Sequence, residues 1–424
     1  MRLQKLIPVR QRFPVRRLPD VREGTLEAMR GAAWTSAVKP GARIAVGVGS
    51  RGISNIAVMT KAVVDFWLER GCKPFIIPVM GSHGGASAEG QAQVLEHYGI
   101  SEATMCVPVV SSLDVVQVGQ TPEGIAVSMD KQAYESAGVM LLSRVKWHTS
   151  FEGKLESGVH KMMAIGLGKW EGAKRYHAFA LRLGMEPVIR SVGKVVLDTG
   201  RMLGGLAILE DAHHNTAEVH ALGTEGMTEQ EEVLLERTKG WKAGLPFAEI
   251  DLLIIDEMGK NISGTGSDTK VMNRGLLGRN TLPGMVKIQR VFTRDLTPES
   301  GGNATGIGLC DVISDQLYDK IDFPATWVNA FTSSILLSTM CPPHFADDRT
   351  CVAKIIMTCG KLDSYQCSIA RIRNTMELGE FEISVALLPE IANNPDVEII
   401  GEAHELEYDS DGILPALHAG ALAH

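Results

Sequence analysis

The sequence lacks the cysteine patterns that mark a disulfide framework or a thiolate zinc site. Its seven cysteines are odd in number and form no Cys-x-x-Cys pair. Both kinds of site need paired or regularly spaced cysteines. We therefore expect reduced, mostly buried thiols and a cytoplasmic location, because a free cysteine behaves as a small core residue.

Long apolar runs and positive net charge are also missing. No stretch approaches the roughly 18 consecutive apolar residues that indicate a membrane-spanning helix. The basic N-terminus is interrupted by Pro8 and Pro14 and has no apolar core, so it is not typical of a secretion signal. The net charge of -8 at pH 7 disfavours binding to nucleic acid or anionic lipid. We expect neither partner.

What the chain does have is an ordinary globular composition and more length than one core needs. Its 424 residues are 45% hydrophobic and 22% charged, and a chain of this size usually divides into two domains. Apolar runs at 42–48 and 74–80 end in turns containing Gly, Ser or His, which is typical of buried parallel strands. The helical spacing at 55–70 between them predicts a βαβ unit.

A second series of apolar runs begins at Ile250 and predicts a second α/β domain. Further strands are expected at Val286–Phe292, Cys351–Met357 and Glu382–Leu388. The fold class is therefore α/β, with two domains whose sheets are mainly parallel. We expect the active site in the cleft between them, at the carboxyl ends of the strands.

The domain boundary is expected near Gly244, where a charged segment gives way to Gly and Pro. This assigns residues 1–245 to an N-terminal domain that binds the cofactor and 246–409 to a C-terminal domain that closes over the substrate. Residues 410–424 are predicted to form a helix that packs back on the first domain.

Polar residues directly after the strands of the first domain are the candidate site residues. Gly49, Ser50 and Arg51 follow the first strand, where main-chain amides can hold a phosphate and Arg51 can bind a carboxylate through two hydrogen bonds. His83 and His148 follow two other strands. Because imidazole titrates near neutral pH, two histidines at equivalent strand ends indicate a facing pair of acid/base groups.

The stretch that begins at His148 is the densest in polar residues. It reads HTSFEGKLESGVHKMMAIGLGKWEGAKRYH and spans 148–177. It resembles the nickel-pincer-dependent lactate racemases: a His, then F-x-G, a Gly/Ser-rich turn closing on Lys161, an apolar helix start and a further His at 177. The resemblance covers about residues 40–180. It implies that Lys161 holds a pyridinium nucleotide and that His177 is the protein ligand to its nickel.

The same resemblance assigns the other candidates. His83 and His148 match the two acid/base histidines, Arg51 matches the arginine that binds the substrate carboxylate, and Gly49 and Ser50 are expected at the cofactor. The implied function is a racemase or epimerase that inverts the C2 carbinol of a 2-hydroxy acid by hydride transfer to a nickel-pincer nucleotide. The implied cofactor is pyridinium-3,5-bisthiocarboxylic acid mononucleotide nickel, and the implied partners are a small-molecule substrate and the cofactor-biosynthesis proteins.

Two departures from the family pattern bear on the substrate. Val48 stands where the family has an aspartate, three residues before the arginine. The Gln-x-x-Lys pair of the second domain is replaced by GKNISGTGSDTK, which offers Lys260, Asn261 and Thr265 as substrate-binding residues. Extra hydrogen-bonding groups favour a longer or polyhydroxylated acid over lactate, because buried polar groups need partners.

Two other interpretations remain open. His83, His148 and His177 could bind zinc directly in a three-histidine hydrolase or lyase. Alternatively, the chain could bind the pincer nucleotide without turnover, in which case Lys161 and His177 would matter and the other two histidines would not.

Overall fold

The alternation of apolar runs and polar turns produces two α/β units. The computed structural model describes residues 2–49, 52–81, 83–275, 278–333 and 335–417. The first unit is Pro14–Lys242, and the second combines Met1–Phe13 with Ala243–His424. Parallel pairs predominate in the main sheet of each unit, which confirms the predicted fold class.

The main sheet of the first unit has the strand order β3-β2-β6-β7-β8, parallel except for the β7–β8 pair. Its strands are β2 (Arg43–Val48), β3 (Lys73–Pro78), β6 (Gly138–Arg144), β7 (Met202–Glu210) and β8 (Thr216–Gly223). A separate antiparallel ribbon consists of β4 (Val115–Gln120) and β5 (Ala126–Asp130).

Helices cover both faces of this sheet, so each central strand is buried on both sides. Along β2, Ala45 packs into one core, and Ile44 and Val46 pack into the other. The helices are α1 (Val21–Gly31), α2 (Ile56–Glu69), α3 (Ala88–His97), α4 (Glu102–Met105), α5 (Lys131–Tyr134), α6 (Gly158–Lys161), α7 (Lys169–Leu183), α8 (Met185–Asp198) and α9 (Met227–Lys239). The predicted βαβ unit is confirmed as β2-α2-β3.

The second unit is built on an eight-stranded sheet with the order β14-β13-β12-β9-β15-β16-β1-β17. The five strands from β14 to β15 are parallel, and the remaining pairs are antiparallel. The strands are β1 (Leu6–Gln11), β9 (Glu249–Met258), β12 (Lys287–Leu296), β13 (Val312–Ser314), β14 (His344–Phe345), β15 (Ile369–Ile372), β16 (Glu380–Ser384) and β17 (Val397–Ile399). A two-stranded ribbon adds β10 (Arg274–Gly275) and β11 (Gly278–Arg279).

The helices of the second unit are α10 (Asp315–Tyr318), α11 (Phe323–Ser333), α12 (Asp348–Ile356) and α13 (Leu388–Ile391). The strand expected at Cys351–Met357 is wrong, because this segment belongs to α12. The side chain of Asp347 accepts a hydrogen bond from the amide of Thr350 and caps the helix. The apolar run is short, so its periodicity alone did not separate strand from helix.

The N-terminal residues lie in the second unit rather than in the predicted first domain. Strand β1 pairs with β16 and β17, and Leu6 and Val9 are fully buried there. Pairing between segments so far apart in sequence leaves no local signal. The chain passes between the units at Phe13 and again at Lys242, close to the predicted boundary.

The C-terminal segment also departs from its expected helix and its expected contact with the first domain. Its described part, to residue 417, contains no helix and bonds to the second unit. The amide of Leu414 donates to Asp348 (2.9 Å), and the amide of Leu417 donates to Asp256 (2.8 Å). Pro415 lacks an amide hydrogen and disfavours a helix here. Residues 418–424 lie outside the described residues.

Among the described residues, no helix combines the length and the apolar character needed to cross a membrane.

Candidate functional site

Two strand-end turns of the first unit pack against one helical segment. A Cβ atom placed on Gly49, after β2, would lie 3.6 Å from the sulfur of Met162. One placed on Gly81, after β3, would lie 3.0 Å from a methyl carbon of Ile165. Gly81 also has a positive φ of 59°, so a side chain there would be strained. The turns after β2 and β3 therefore meet the segment that follows Lys161.

That segment is a π-helical turn at Met162–Gly166 between α6 and α7. The amide of Leu167 donates to the carbonyl of Met162 (2.8 Å), five residues back, which is the π-type hydrogen bond. Such turns are rare and occur frequently at functional sites. Here the π-helical turn separates Lys161, the last residue of α6, from His177 on α7.

The ring of His177 is fixed in one tautomer. Its Nδ1–H donates to the carbonyl of Ala173 (2.7 Å), one helical turn earlier. A carbonyl can only accept, so the neutral ring keeps an unprotonated Nε2. Burial lowers the pKa of His177, and the positive charge of Lys161 lowers it further, against the hydrogen bond to Ala173, which raises it. A neutral imidazole with an available Nε2 lone pair is the form that binds a metal.

His148 lies in the loop after β6 and has a different hydrogen-bonding pattern. Its main-chain amide donates to Oε2 of Glu156 (2.7 Å), and the amide of Ser150 donates to its Nδ1 (3.0 Å). Because Nδ1 accepts a hydrogen bond, the neutral ring carries its proton on Nε2. The ring also packs against Phe151, with 4.3 Å between the ring centroids.

Phe151 links His148 to Lys161. The Nζ atom of Lys161 lies 5.2 Å from the centroid of the Phe151 ring, within range of a cation–π interaction. The first unit thus brings together three of the predicted site residues, His148, Lys161 and His177. Phe151 was seen in the sequence only as part of the F-x-G motif, and Glu156 was missed.

His83 lies in a turn whose main chain is held by a buried glutamine. The side-chain amide of Gln91 donates to the carbonyls of Gly81 (3.1 Å) and His83 (3.3 Å). His83 also lines an open groove of about 660 Å³ along α3, together with Glu89 and His97. Gln91 is fully buried and was missed, since a glutamine on a helix has no distinguishing sequence signal.

Comparison with known proteins gives matches at the level of structure. No protein-family model matches this chain, and no curated protein matches it. A structural-genomics target from Thermotoga maritima matches with a TM-score of 0.45 and 15% identity, covering 66% of this chain and 72% of that chain. The lactate racemase apoprotein from Thermoanaerobacterium thermosaccharolyticum matches with a TM-score of 0.44 and 11% identity, covering 97% of this chain and 98% of that chain.

Two more predicted residues of the first turn, Ser50 and Arg51, lie outside the described residues. Their roles at the cofactor and at the substrate carboxylate stay predictions. Gly49 is described and buried against the π-helical turn.

Two other basic residues of the dense stretch form buried structural contacts. Lys169 is fully buried at a positive φ of 53°, and its Nζ lies 2.5 Å from the carbonyl of Pro78 and 2.9 Å from Asp130. Burial lowers the pKa of Lys169, and the charge of Asp130 opposes this. Nδ1 of His160 donates to Glu231 (2.8 Å) on α9. These contacts hold the end of β3 and the helix α6.

The predicted substrate-binding residues of the second unit form hydrogen bonds within their loop and with the segment after β12. Nζ of Lys260 donates to the carbonyl of Gly264 (2.8 Å). The side-chain oxygen of Asn261 accepts from the hydroxyl of Thr297 (2.7 Å), and the hydroxyl of Thr265 donates to a main-chain carbonyl two residues on (2.8 Å). Their role toward a substrate stays a prediction.

Proposed function

We propose that this chain is a racemase or epimerase that inverts the C2 carbinol of a 2-hydroxy acid and works with a nickel-pincer nucleotide. The observation that carries the proposal is the protonation state of the His177 ring together with its position after Lys161. The imidazole is held neutral with an unprotonated Nε2, on the helix α7 that follows the π-helical turn after Lys161, and the Lys161 side chain lies over an aromatic ring. The arrangement supports the roles that the sequence resemblance implies, His177 as the metal ligand and Lys161 as the attachment point.

The residues present fit such a group. Nickel binds neutral imidazole well, and the hydrogen bond from Nδ1 to Ala173 orients the ring for coordination through Nε2. Lys161 would hold the nucleotide, and the face of Phe151 beside it would pack against a planar ring. The chemistry that this group supplies when bound is acceptance of the C2 hydride.

The remaining steps belong to the chain's own side chains. Oxidation of the carbinol requires that the hydroxyl proton leave as the C2 hydride does, which yields a planar 2-keto acid. His83 and His148 are proposed to exchange that proton with the two faces of the substrate. Arg51 is proposed to hold the carboxylate while the 2-keto acid turns to present its other face.

The proposed substrate class is a 2-hydroxy acid, and a longer or polyhydroxylated acid is the finer proposal. Its basis in the sequence is the polar loop at Lys260, where Lys260 and Thr265 form hydrogen bonds within the loop and Asn261 accepts one from Thr297 after β12. The groove beside His83 offers other polar groups, from Glu89, Gln93 and His97 on α3. Comparison of turnover between lactate and a six-carbon aldonate would decide between the two substrates.

The zinc alternative needs three clustered ligands. Among the described residues, the structure has no group of three or more His, Cys, Asp or Glu side chains that could hold a metal ion. Metal analysis distinguishes the two proposals directly, because the zinc site would bind one zinc without a chromophore.

The test of the proposed function is the mass of protein co-produced with the cofactor-biosynthesis enzymes. A covalent adduct should appear and should be lost in Lys161→Ala, while His83→Ala keeps it. Lys154 is exposed and Lys169 is buried against Asp130, so Lys154→Ala is the matched lysine control. His177→Ala should lose nickel while retaining the adduct. An adduct on another lysine would refute the assignment of Lys161 as the attachment point. Full nickel occupancy in His177→Ala would refute the assignment of His177 as the nickel ligand.

A further inference from the structure

The loop that carries His148 is closed at its base by one serine. The hydroxyl of Ser157 accepts a hydrogen bond from the amide of Lys146 and donates one to the carbonyl of the same residue, both at 2.7 Å. Residues 146–157 therefore form a closed loop between β6 and α6. His148 and Phe151 lie within it.

The interior of this loop holds a carboxylate. Glu156 is fully buried, and its two oxygens accept hydrogen bonds from the amides of His148 (2.7 Å) and Gly153 (3.1 Å). Buried carboxylates are costly unless they are paired and hydrogen-bonded. Here the pairing comes from α9, because Nζ of Lys239 lies 3.0 Å from Oε1 of Glu156.

Lys239 completes the arrangement. Its Nζ also donates to the carbonyl of Gly153 (3.3 Å) and lies 5.8 Å from the ring centroid of Trp147. Burial lowers the pKa of Lys239, but hydrogen bonds and charges from Glu236 and Glu156 together raise it above its ordinary value. The lysine therefore stays protonated and balances the charge of the buried carboxylate.

We propose that Glu156, paired with Lys239, is the positioning residue for His148. It binds the main-chain amide of His148 and fixes the loop so that the amide of Ser150 faces Nδ1 of the ring. The neutral ring then presents an Nε2–H group. The importance of this geometry for catalysis rests on the proposed function, whereas the positioning itself rests on the contacts of the loop.

A neutral amide cannot replace the carboxylate. The side chain introduced by Glu156→Gln would offer one oxygen acceptor, and its NH₂ group would point at a main-chain N–H, so one donor would lose its partner. The loop would relax, and Nδ1 of His148 would no longer be held opposite the amide of Ser150. A purely structural role for Glu156 would lower stability without changing the tautomer of His148.

The experiment uses the full-length protein without cofactor and compares Glu156→Gln and Lys239→Met with Glu236→Gln. Glu236 is the matched control, because it pairs with the same lysine at 2.9 Å but its side chain is 68% exposed. Hydrogen exchange of the amides at His148 and Gly153 and ¹⁵N NMR of the histidine rings are measured. In wild type, the His148 signals should be those of the Nε2–H tautomer, and Glu236→Gln should leave them unchanged.

In Glu156→Gln, exchange at those two amides should accelerate by about tenfold or more, which corresponds to about 1.4 kcal/mol of lost local stability. The ring signals of His148 should shift toward mixed tautomers. Lys239→Met should accelerate exchange at the same amides and shift the His148 signals in the same direction, but by less. This variant provides the test if Glu156→Gln fails to fold. Wild-type exchange and an unchanged His148 tautomer in a folded Glu156→Gln or Lys239→Met protein would overturn the proposal.

Activity of the cofactor-loaded enzyme is a separate measurement. Because Glu156 acts through the orientation of His148, Glu156→Gln should lower kcat, change KM little and leave the adduct on Lys161 intact. Absence of the adduct in wild type would refute the proposed function and leave the positioning result standing. The two failures are therefore distinguishable.

Discussion

The buried charge of Asp256 provides the sharpest test of how the second unit is held together. Its carboxylate lies 2.9 Å from a guanidinium nitrogen of Arg294 and accepts two hydrogen bonds from Arg371, at 2.9 and 2.8 Å. It also accepts a hydrogen bond from the main-chain amide of Leu417. The three charged residues come from the neighbouring strands β12, β9 and β15, and all are at most 7% exposed.

Asp256→Asn keeps the shape of the side chain and removes its charge. Two arginines then lose a shared counter-ion, although Arg294 keeps Asp348 and Arg371 keeps a longer contact with Glu382. Removing one partner of a buried pair costs about 3–5 kcal/mol, and the remaining carboxylates place this case near the lower end. For a domain of this size the loss corresponds to a Tm decrease of roughly 6–12 °C.

The assay is differential scanning calorimetry, with Glu398→Gln as the control. Glu398 pairs with Arg10 and Arg12 at the surface, where solvent and salt screen the charges, so its loss should change the stability little. Asp256→Asn should also make the C-terminal segment more sensitive to carboxypeptidase, since a single oxygen acceptor is left for the Leu417 amide and the two arginines. If the two variants unfold within about 1 °C of each other, the stabilising role assigned to Asp256 is wrong.

Two further predictions concern the buried Lys169 and the proposed hydride transfer. Because burial lowers the pKa of Lys169, the unfolded chain binds its proton more tightly, so the stability of wild type relative to Lys169→Met should rise as pH is raised toward about 10. Denaturant unfolding across that range measures it, and a pH-independent difference would contradict it. Substrate deuterated at C2 should give inverted product that keeps most of its deuterium in ordinary water, as measured by mass spectrometry of early product. Extensive washout would place the C2 hydrogen on an exchangeable group and exclude the hydride mechanism.

The sequence by itself determined the elements whose signal is local. The apolar runs at 42–48 and 74–80 with helical spacing between them predicted β2-α2-β3, because periodicity and turn residues act over a few positions. The order of His148, Lys161 and His177 along one stretch likewise predicted residues that the structure brings together. His148 and Lys161 both contact the ring of Phe151, and the charge of Lys161 acts on His177.

The tertiary structure alone decided the pairings between distant segments. Strand β1 joins strands more than 360 positions later in the chain, and the last described residues bind buried charges of the second unit rather than forming a helix on the first. Glu156 meets Lys239 only because α9 packs beside the loop of β6. Such contacts depend on which surfaces the packed core places together. No local pattern encodes the partner of a buried charge, since its stabilisation comes from a group brought close by the rest of the fold.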